Sequence, residues 1–183
     1  MVWLWILIAV VALIAIIFFI YYNRFARLKN QIENSLAQIE VQLKKRAELV
    51  PNLVNSVKGY MKHEKKILNE VTKARKSYVQ SKNFEKKAKA GNELQSALGR
   101  LFAVAENYPH LRANENFLQL QQEMSAIEDK IAYARQYYND GIMSYNVMTE
   151  TLPGKWFASL FGFNKKKYLE IPKEQKAVPK VDF

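Results

Sequence analysis

Apolar residues are distributed along this chain in two regimes. Residues 2–22, VWLWILIAVVALIAIIFFIYY, are apolar without interruption and hold no charge, glycine or proline. As a helix they reach about 31 Å at ~1.5 Å per residue, roughly one hydrocarbon core. Trp3 and Trp5 stand near one end and Tyr21 and Tyr22 at the other, where interfacial aromatics belong. From Leu28 onward the apolar positions fall in steps of three and four: Leu28, Ile32, Leu36, Ile39, Leu43, Ala47 and Val50, then Val54, Val57, Met61, Ile67, Val71, Ala74 and Tyr78. A second run is Leu94, Leu98, Leu101, Ala105 and Tyr108, stopped by Pro109. A third runs from Phe117 through Leu120, Met124, Ile127, Ile131, Ala134, Tyr138, Ile142 and Tyr145 to Met148, with Asn114 placed to cap it and Pro153 beyond it. Such steps lay one stripe along a helix, and no segment sustains a period of two.

The pattern predicts an all-α chain: an N-terminal transmembrane helix followed by an antiparallel up-and-down helical bundle of three or four long helices. Residues 1–23 form the anchor, 24–150 the bundle, and 151–183 an aromatic and basic C-terminal segment and tail. Breaks are expected at QSKNFEKKAKAGN, residues 80–92, and NYPHLRAN, residues 107–114. A further one is Pro51, within KKRAELVPNLV, because proline costs a helix interior roughly 3 kcal/mol. A turn at Pro51 gives four helices of comparable length, and a kink keeps the stripe in phase. Proline suits the first position of a new helix, so Pro51 is read as a helix joint.

A cleaved signal peptide is the rival reading of the apolar run. It needs a basic start, a shorter core and a small-x-small cleavage site. This run begins at Val2 with no Lys or Arg before it and ends in Phe, Ile and Tyr, so a retained anchor is expected.

Charge sets the orientation. The net charge is +11, and residues 24–90 alone hold 17 Lys or Arg against 6 Asp or Glu. Residues 91–150 are net acidic, 4 against 8. Arg24, Arg27 and Lys29 follow the span directly. The positive-inside rule then places the N-terminus outside and the bundle in the cytoplasm, as a single-pass protein of the cytoplasmic (inner) membrane. Each basic residue near anionic lipid gains on the order of 1 kcal/mol, so anionic lipid is a candidate partner.

Candidate chemistry is sparse. There is no cysteine, and the histidines are His63 and His110. His63-Glu64 opens like the zinc-protease pattern, but its fifth position is Ile67, so the second ligand is missing. Glu123, Glu128 and Asp129 share the third helix without the Glu-x-x-His pairs of a di-metal bundle. Their expected role is pairing with the basic first helices. Arg135, Tyr137, Tyr138, Asn139, Tyr145 and Asn146 read as a hydrogen-bonded core layer, in which Asn139, Asn146 or Asn52 serves the buried tyrosine hydroxyls. A recognition groove is the alternative. The basic face of residues 44–89 lacks interleaved aromatics, which argues against nucleic acid. GKWFASLFGFNKKK, residues 154–167, gathers Trp156, Phe157, Leu160, Phe161 and Phe163 before three lysines. It is too short to span a bilayer. An interfacial helix and a helix closing the end of the bundle fit it equally.

The segment YYNRFARLKNQIENSLAQIEVQLKKRAELVPNLVNSVKGYMKHEKKILNEVTKAR resembles the signature region of the LemA family. ENYPHLRANENFLQLQQEMSAIEDKIAYARQYYNDGIMSYN is similar to its second block, and FGF and VPKVDF resemble its C-terminal block. The resemblance covers nearly the whole chain. It implies an N-terminal membrane helix, a small extracytoplasmic N-terminus and an antiparallel helical bundle. It supplies no catalytic residues to carry over, and its magnetosome-associated branch points towards membrane organisation. The expected function is therefore a membrane-anchored scaffold that forms homo-oligomers or organises membrane and other membrane proteins, without enzymatic activity, cofactor or metal. The alternative is an adaptor or sensor that regulates another membrane protein such as a protease.

Overall fold

The stripes of period 3.6 become helices in the computed structural model, which describes residues 1–169. The closing VPKVDF block, residues 178–183, lies outside the described residues. In chain order the helices are α1 (Val2–Lys58), α2 (Lys65–Gln80), α3 (Phe84–Ala105), α4 (Pro109–Arg112), α5 (Glu115–Glu150) and α6 (Gly154–Phe161). The chain is all-α among the described residues, with the apolar run opening α1. It divides into two compact units. One holds Met1–Ala37 with residues 134–169, the other Gln38–Tyr133.

The second unit is a bundle of four helical stretches: residues 38–58 of α1, then α2, α3, and residues 115–133 of α5. Polar side chains mark the helix starts. Asn83 Oδ1 accepts the amide of Lys86 at 3.0 Å, so α3 begins within the 80–92 stretch expected to be a break. Asn114 Oδ1 accepts the amide of Phe117 at 3.1 Å, the cap expected for the third stripe. α2 packs on α3 across the short link 81–83. The core is built from Ile39, Leu43, Val50, Leu53 and Val57 of α1, Val71 of α2, Leu94 and Leu101 of α3, and Phe117, Met124 and Ile131 of α5.

In this unit the buried face of α1 departs from a purely apolar stripe at Arg46. Its spacing of four and three runs Ile39, Leu43, Arg46, Val50, Leu53, Val57, and Arg46 is fully buried. Burying a charge costs several kcal/mol, about as much as a domain's whole margin, unless it is paired and hydrogen-bonded. Arg46 Nη1 donates to the Glu128 carboxylate of α5, and Nη2 donates to the Gly91 carbonyl of α3 at 2.6 Å. One guanidinium thereby ties three helices. Lys44 and Lys45 are exposed, so the basic triplet divides between solvent and core. Arg46 does not belong to a solvated face. The expected pairing of Glu128 with the basic first helix is present.

Pro51 is not a joint. α1 runs through it to Lys58, and the corner lies at residues 59–64. Pro51 has no N–H to offer the Ala47 carbonyl four residues back. Arg75 of α2 supplies a donor instead, its Nε lying 2.8 Å from Ala47 O. The proline's main defect is thereby repaired from outside the helix, while Val50, Leu53 and Val57 keep the flanking turns packed. His63 and Glu64 sit in the corner, not on a helix face, and Glu64 Oε1 accepts the Tyr108 hydroxyl at 3.0 Å.

Arg75 and Pro51 should therefore be energetically coupled. Arg75→Ala alone leaves the Ala47 carbonyl short of a donor and should cost about 1–3 kcal/mol. In a Pro51→Ala chain, where residue 51 regains its N–H, the same change should cost at least 1 kcal/mol less, by the logic of a double-mutant cycle. Urea unfolding followed by circular dichroism measures both. Additive losses would contradict the repair.

Candidate membrane-interface site

The first unit is organised by aromatic rings at the end of the apolar run. No residue of 2–22 is buried, and Trp3 and Trp5 are among its most exposed side chains. At its C-terminal end, Phe18, Tyr21 and Tyr22 meet α6. The Phe157 ring stacks on Tyr21 with centroids 5.1 Å apart. Phe161 approaches Phe18 at 5.2 Å and Tyr22 at 5.5 Å, both edge-on. Phe157 and Phe161 stand four apart, one above the other on a helix face, which is why a helix of eight residues can place both rings against α1.

The entry to α6 is tight. A Cβ on Gly154 would fall 2.3 Å from the Met148 carbonyl oxygen, so only glycine lets the chain pass that close to the end of α5. The opposite face of α6 is bare. Trp156 is 67% exposed and Leu160 is 70% exposed, with Leu152 exposed just before them. Of the aromatics gathered on α6, Phe157 and Phe161 thus lie against the end of the apolar run and Trp156 faces outward.

Beyond α6 the chain continues as an extended segment along α5. Phe163 packs on Phe25, with centroids 4.6 Å apart, and near Tyr145 at 6.5 Å. Asn146 Oδ1 accepts the amide of Lys166, and its Nδ2 donates to the carbonyl of the same residue, both at 2.9 Å. Asn139 repeats this with Leu169, accepting at 2.9 Å and donating at 3.2 Å. Lys166 Nζ lies 5.5 Å from the centre of the Tyr145 ring, and Lys165 pairs with Glu150. Phe25, Ile32, Ile142, Tyr145, Met148 and Ala158 form the buried cluster beneath. Burial raises the hydroxyl pKa of Tyr145 and of Tyr138.

The tyrosine–asparagine group is therefore a packed layer, with its bonds redirected. Asn139 and Asn146 serve the main chain of residues 166 and 169, not the tyrosine hydroxyls, and Asn52 is exposed in the other unit. Tyr137 faces solvent. Sequence reasoning missed this clamp, although a signal existed: Tyr138-Asn139 recurs seven residues later as Tyr145-Asn146. Arg24 and Arg27 are exposed, and Lys29 lies 4.0 Å from Glu33. In the other unit a concavity of about 960 Å³ at the α1–α2 corner is lined by Lys58, Lys62, His63 and Lys65 among others. Glu123 is exposed and accepts from Gln119 at 3.1 Å, and Asp129 is exposed. Among the described residues, no group of three or more His, Asp or Glu is placed to hold a metal.

The model of the LemA family matches residues 35–183. This chain belongs to the LemA family. The magnetosome protein MamQ of Magnetospirillum gryphiswaldense is 25% identical over 189 residues, covering 88% of this chain and 70% of that protein. A magnetosome protein MamQ 1 of Paramagnetospirillum magneticum is 24% identical over 188 residues, again 88% of this chain and 69% of the relative. Protein LemA of Metamycoplasma hominis is 29% identical over 138 residues, 73% of this chain and 63% of its own length. None of these names states a catalytic activity. With one long apolar helix among the described residues and its LemA and MamQ relatives, this LemA-family protein is membrane-associated.

The clamp predicts a pattern of amide exchange. The Lys166 and Leu169 amides should exchange slowly, and that of Lys167 quickly. Asn146→Ala should release the Lys166 amide while Leu169 retains protection in part. Site-resolved hydrogen exchange reads this directly. Uniform fast exchange across 163–169 in the unmodified chain would contradict it.

Proposed function

We propose that this LemA-family protein is a non-catalytic membrane scaffold, held by a single span at residues 2–22 and by a second contact at α6. The observation that carries the reading is the packing of Phe157 and Phe161 on Phe18, Tyr21 and Tyr22. Phe18 lies within the apolar run. With that run in a bilayer, a helix touching Phe18 sits at the boundary of the hydrocarbon. The outward Trp156 and Leu160 then enter the interface, as the apolar face of an interfacial helix does. Lys155 and Lys167, exposed on and after α6, reach headgroups beside Arg24 and Arg27. The same basic residues favour an orientation with the N-terminus outside and the bundle in the cytoplasm, in the inner membrane.

Scaffolding follows from confinement. Anchored copies share a plane, which raises their effective concentration without any new contact. The exposed apolar face of α5 in this unit, with Tyr137, Met143 and Val147, offers area for a neighbour. The likeness to proteins named magnetosome protein MamQ agrees with a role in organising membrane.

The mass of the full chain in native nanodiscs tests the reading, beside a shortened chain lacking residues 1–23. A uniform assembly that dissolves without the anchor is the expected result. Monomers in both forms would remove self-association and favour the adaptor or sensor, whose partner would then appear at fixed ratio in a pull-down.

A further inference from the structure

We infer that Asn139 and Asn146 form a main-chain peptide site on α5, and that its second ligand, besides the chain's own residues 163–169, is the same segment of a neighbouring copy. The inference rests on the self-associating reading above and names the contact that would carry it.

A carboxamide carries one acceptor and one donor side by side, as a peptide group does. Each asparagine uses both on a single residue, taking its N–H and giving to its C=O. The two sites match an extended chain in register. Seven residues of α5 rise about 10.5 Å at ~1.5 Å each. Three extended residues, Lys166 to Leu169, advance about 10 Å at ~3.3 Å each. Since 166 pairs with 146 and 169 with 139, the segment runs antiparallel to α5. Such recognition reads backbone, so it imposes spacing and direction but little side-chain identity. Selectivity comes from the flanks: an aromatic ring at 163 against Phe25 and Tyr145, and a cation at 166 over the Tyr145 ring.

Asn146 is only 5% exposed. Release of the segment uncovers this carboxamide to water and gives up the Phe163 ring contacts, so the filled clamp is the more favourable state. An identical segment from another copy restores the same bonds and ring contacts. Exchange of an identical element is a low-cost route to association. The covalent joint is Gly162, which ends α6 with a φ of 69°, a left-handed conformation that glycine adopts without strain. Release at this residue frees the segment and leaves the α6 rings in place. Exchange then rises with the surface density of copies, because the competing occupant is intramolecular.

Two measurements test the inference. In the full chain carrying Lys166→Pro and Leu169→Pro, the resident segment loses both amide donors. A fluorescent peptide, FGFNKKKYL, should bind this variant saturably in nanodiscs of neutral lipid. The same peptide N-methylated at the positions of Lys166 and Leu169 keeps every side chain and should bind at least tenfold more weakly, as should the unmethylated peptide when Asn139→Ala and Asn146→Ala are added. Equal binding of the two peptides, or none of either, overturns the site. A photoreactive benzoylphenylalanine at position 163 of the otherwise unaltered chain, with half the copies isotopically labelled, reads the exchange itself. Adducts joining two chains, more abundant at higher protein-to-lipid ratio, are expected. Adducts confined to single chains at every ratio overturn exchange. If the assembly keeps its mass in that case, self-association stands and only its contact is misassigned.

Discussion

Twenty-one consecutive apolar residues, covered only at their C-terminal end among the described residues, set the terms for this molecule. At about 25 cal/mol per Å² of apolar surface, a bare helix of this length in water is tens of kcal/mol less favourable than in hydrocarbon. The first unit is arranged around the C-terminal end of that helix. α6 takes its position from rings on the apolar run, and the extended segment takes its position from α5. Trp156, Leu160 and the lysines that follow are thus held beside the end of the apolar run.

Main-chain carbonyls and amides recur as the partners of long polar side chains. Arg46 donates to Gly91 O, Arg75 to Ala47 O, and Asn139 and Asn146 grip whole residues of the extended segment. Helices satisfy their own backbone, so a proline or an extended strand leaves groups that must find partners elsewhere. For Arg75 and the two asparagines, a polar side chain from a neighbouring element answers a proline's defect or an extended stretch, whereas Arg46 adds a bond to a carbonyl inside α3. Such bonds fix register more sharply than apolar packing does, because a shift of one residue leaves buried groups unpaired. Arg46 differs in carrying its own charge into the core. Its ion pair with Glu128 selects one arrangement of α1, α3 and α5 while adding little net stability over an apolar layer.

The all-α class, the apolar span and the cap at Asn114 were legible because they rest on periodicity and local chemistry, both carried by adjacent residues. The core role of Arg46 was hidden by its type: a basic residue beside Lys44 and Lys45 reads as surface, although a three-four spacing from Leu43 to Val50 passes through it as the four-three spacing passes through Ala47. Pro51 was misread for a related reason. Its cost is set by whether Ala47 O finds another donor, and that donor sits 28 residues away on α2. The same holds for the clamp. The Tyr-Asn repeat of α5 marks a recurring site, but that its partners are residues 169 and 166 depends on the path through Gly154 and Gly162. The facing of α6 was half legible: the aromatics were recognised, but which of them turn to the anchor is decided by packing.

The depth of Trp156 in a bilayer tests the central claim most directly. With Trp3→Phe and Trp5→Phe, Trp156 is the sole tryptophan. Its fluorescence, with the protein in vesicles of phosphatidylglycerol and phosphatidylcholine, should be blue-shifted and quenched most strongly by lipids brominated close to the headgroup. Emission at the wavelength of tryptophan in water, quenched by aqueous iodide and untouched by brominated lipid, would contradict α6 as a second membrane contact.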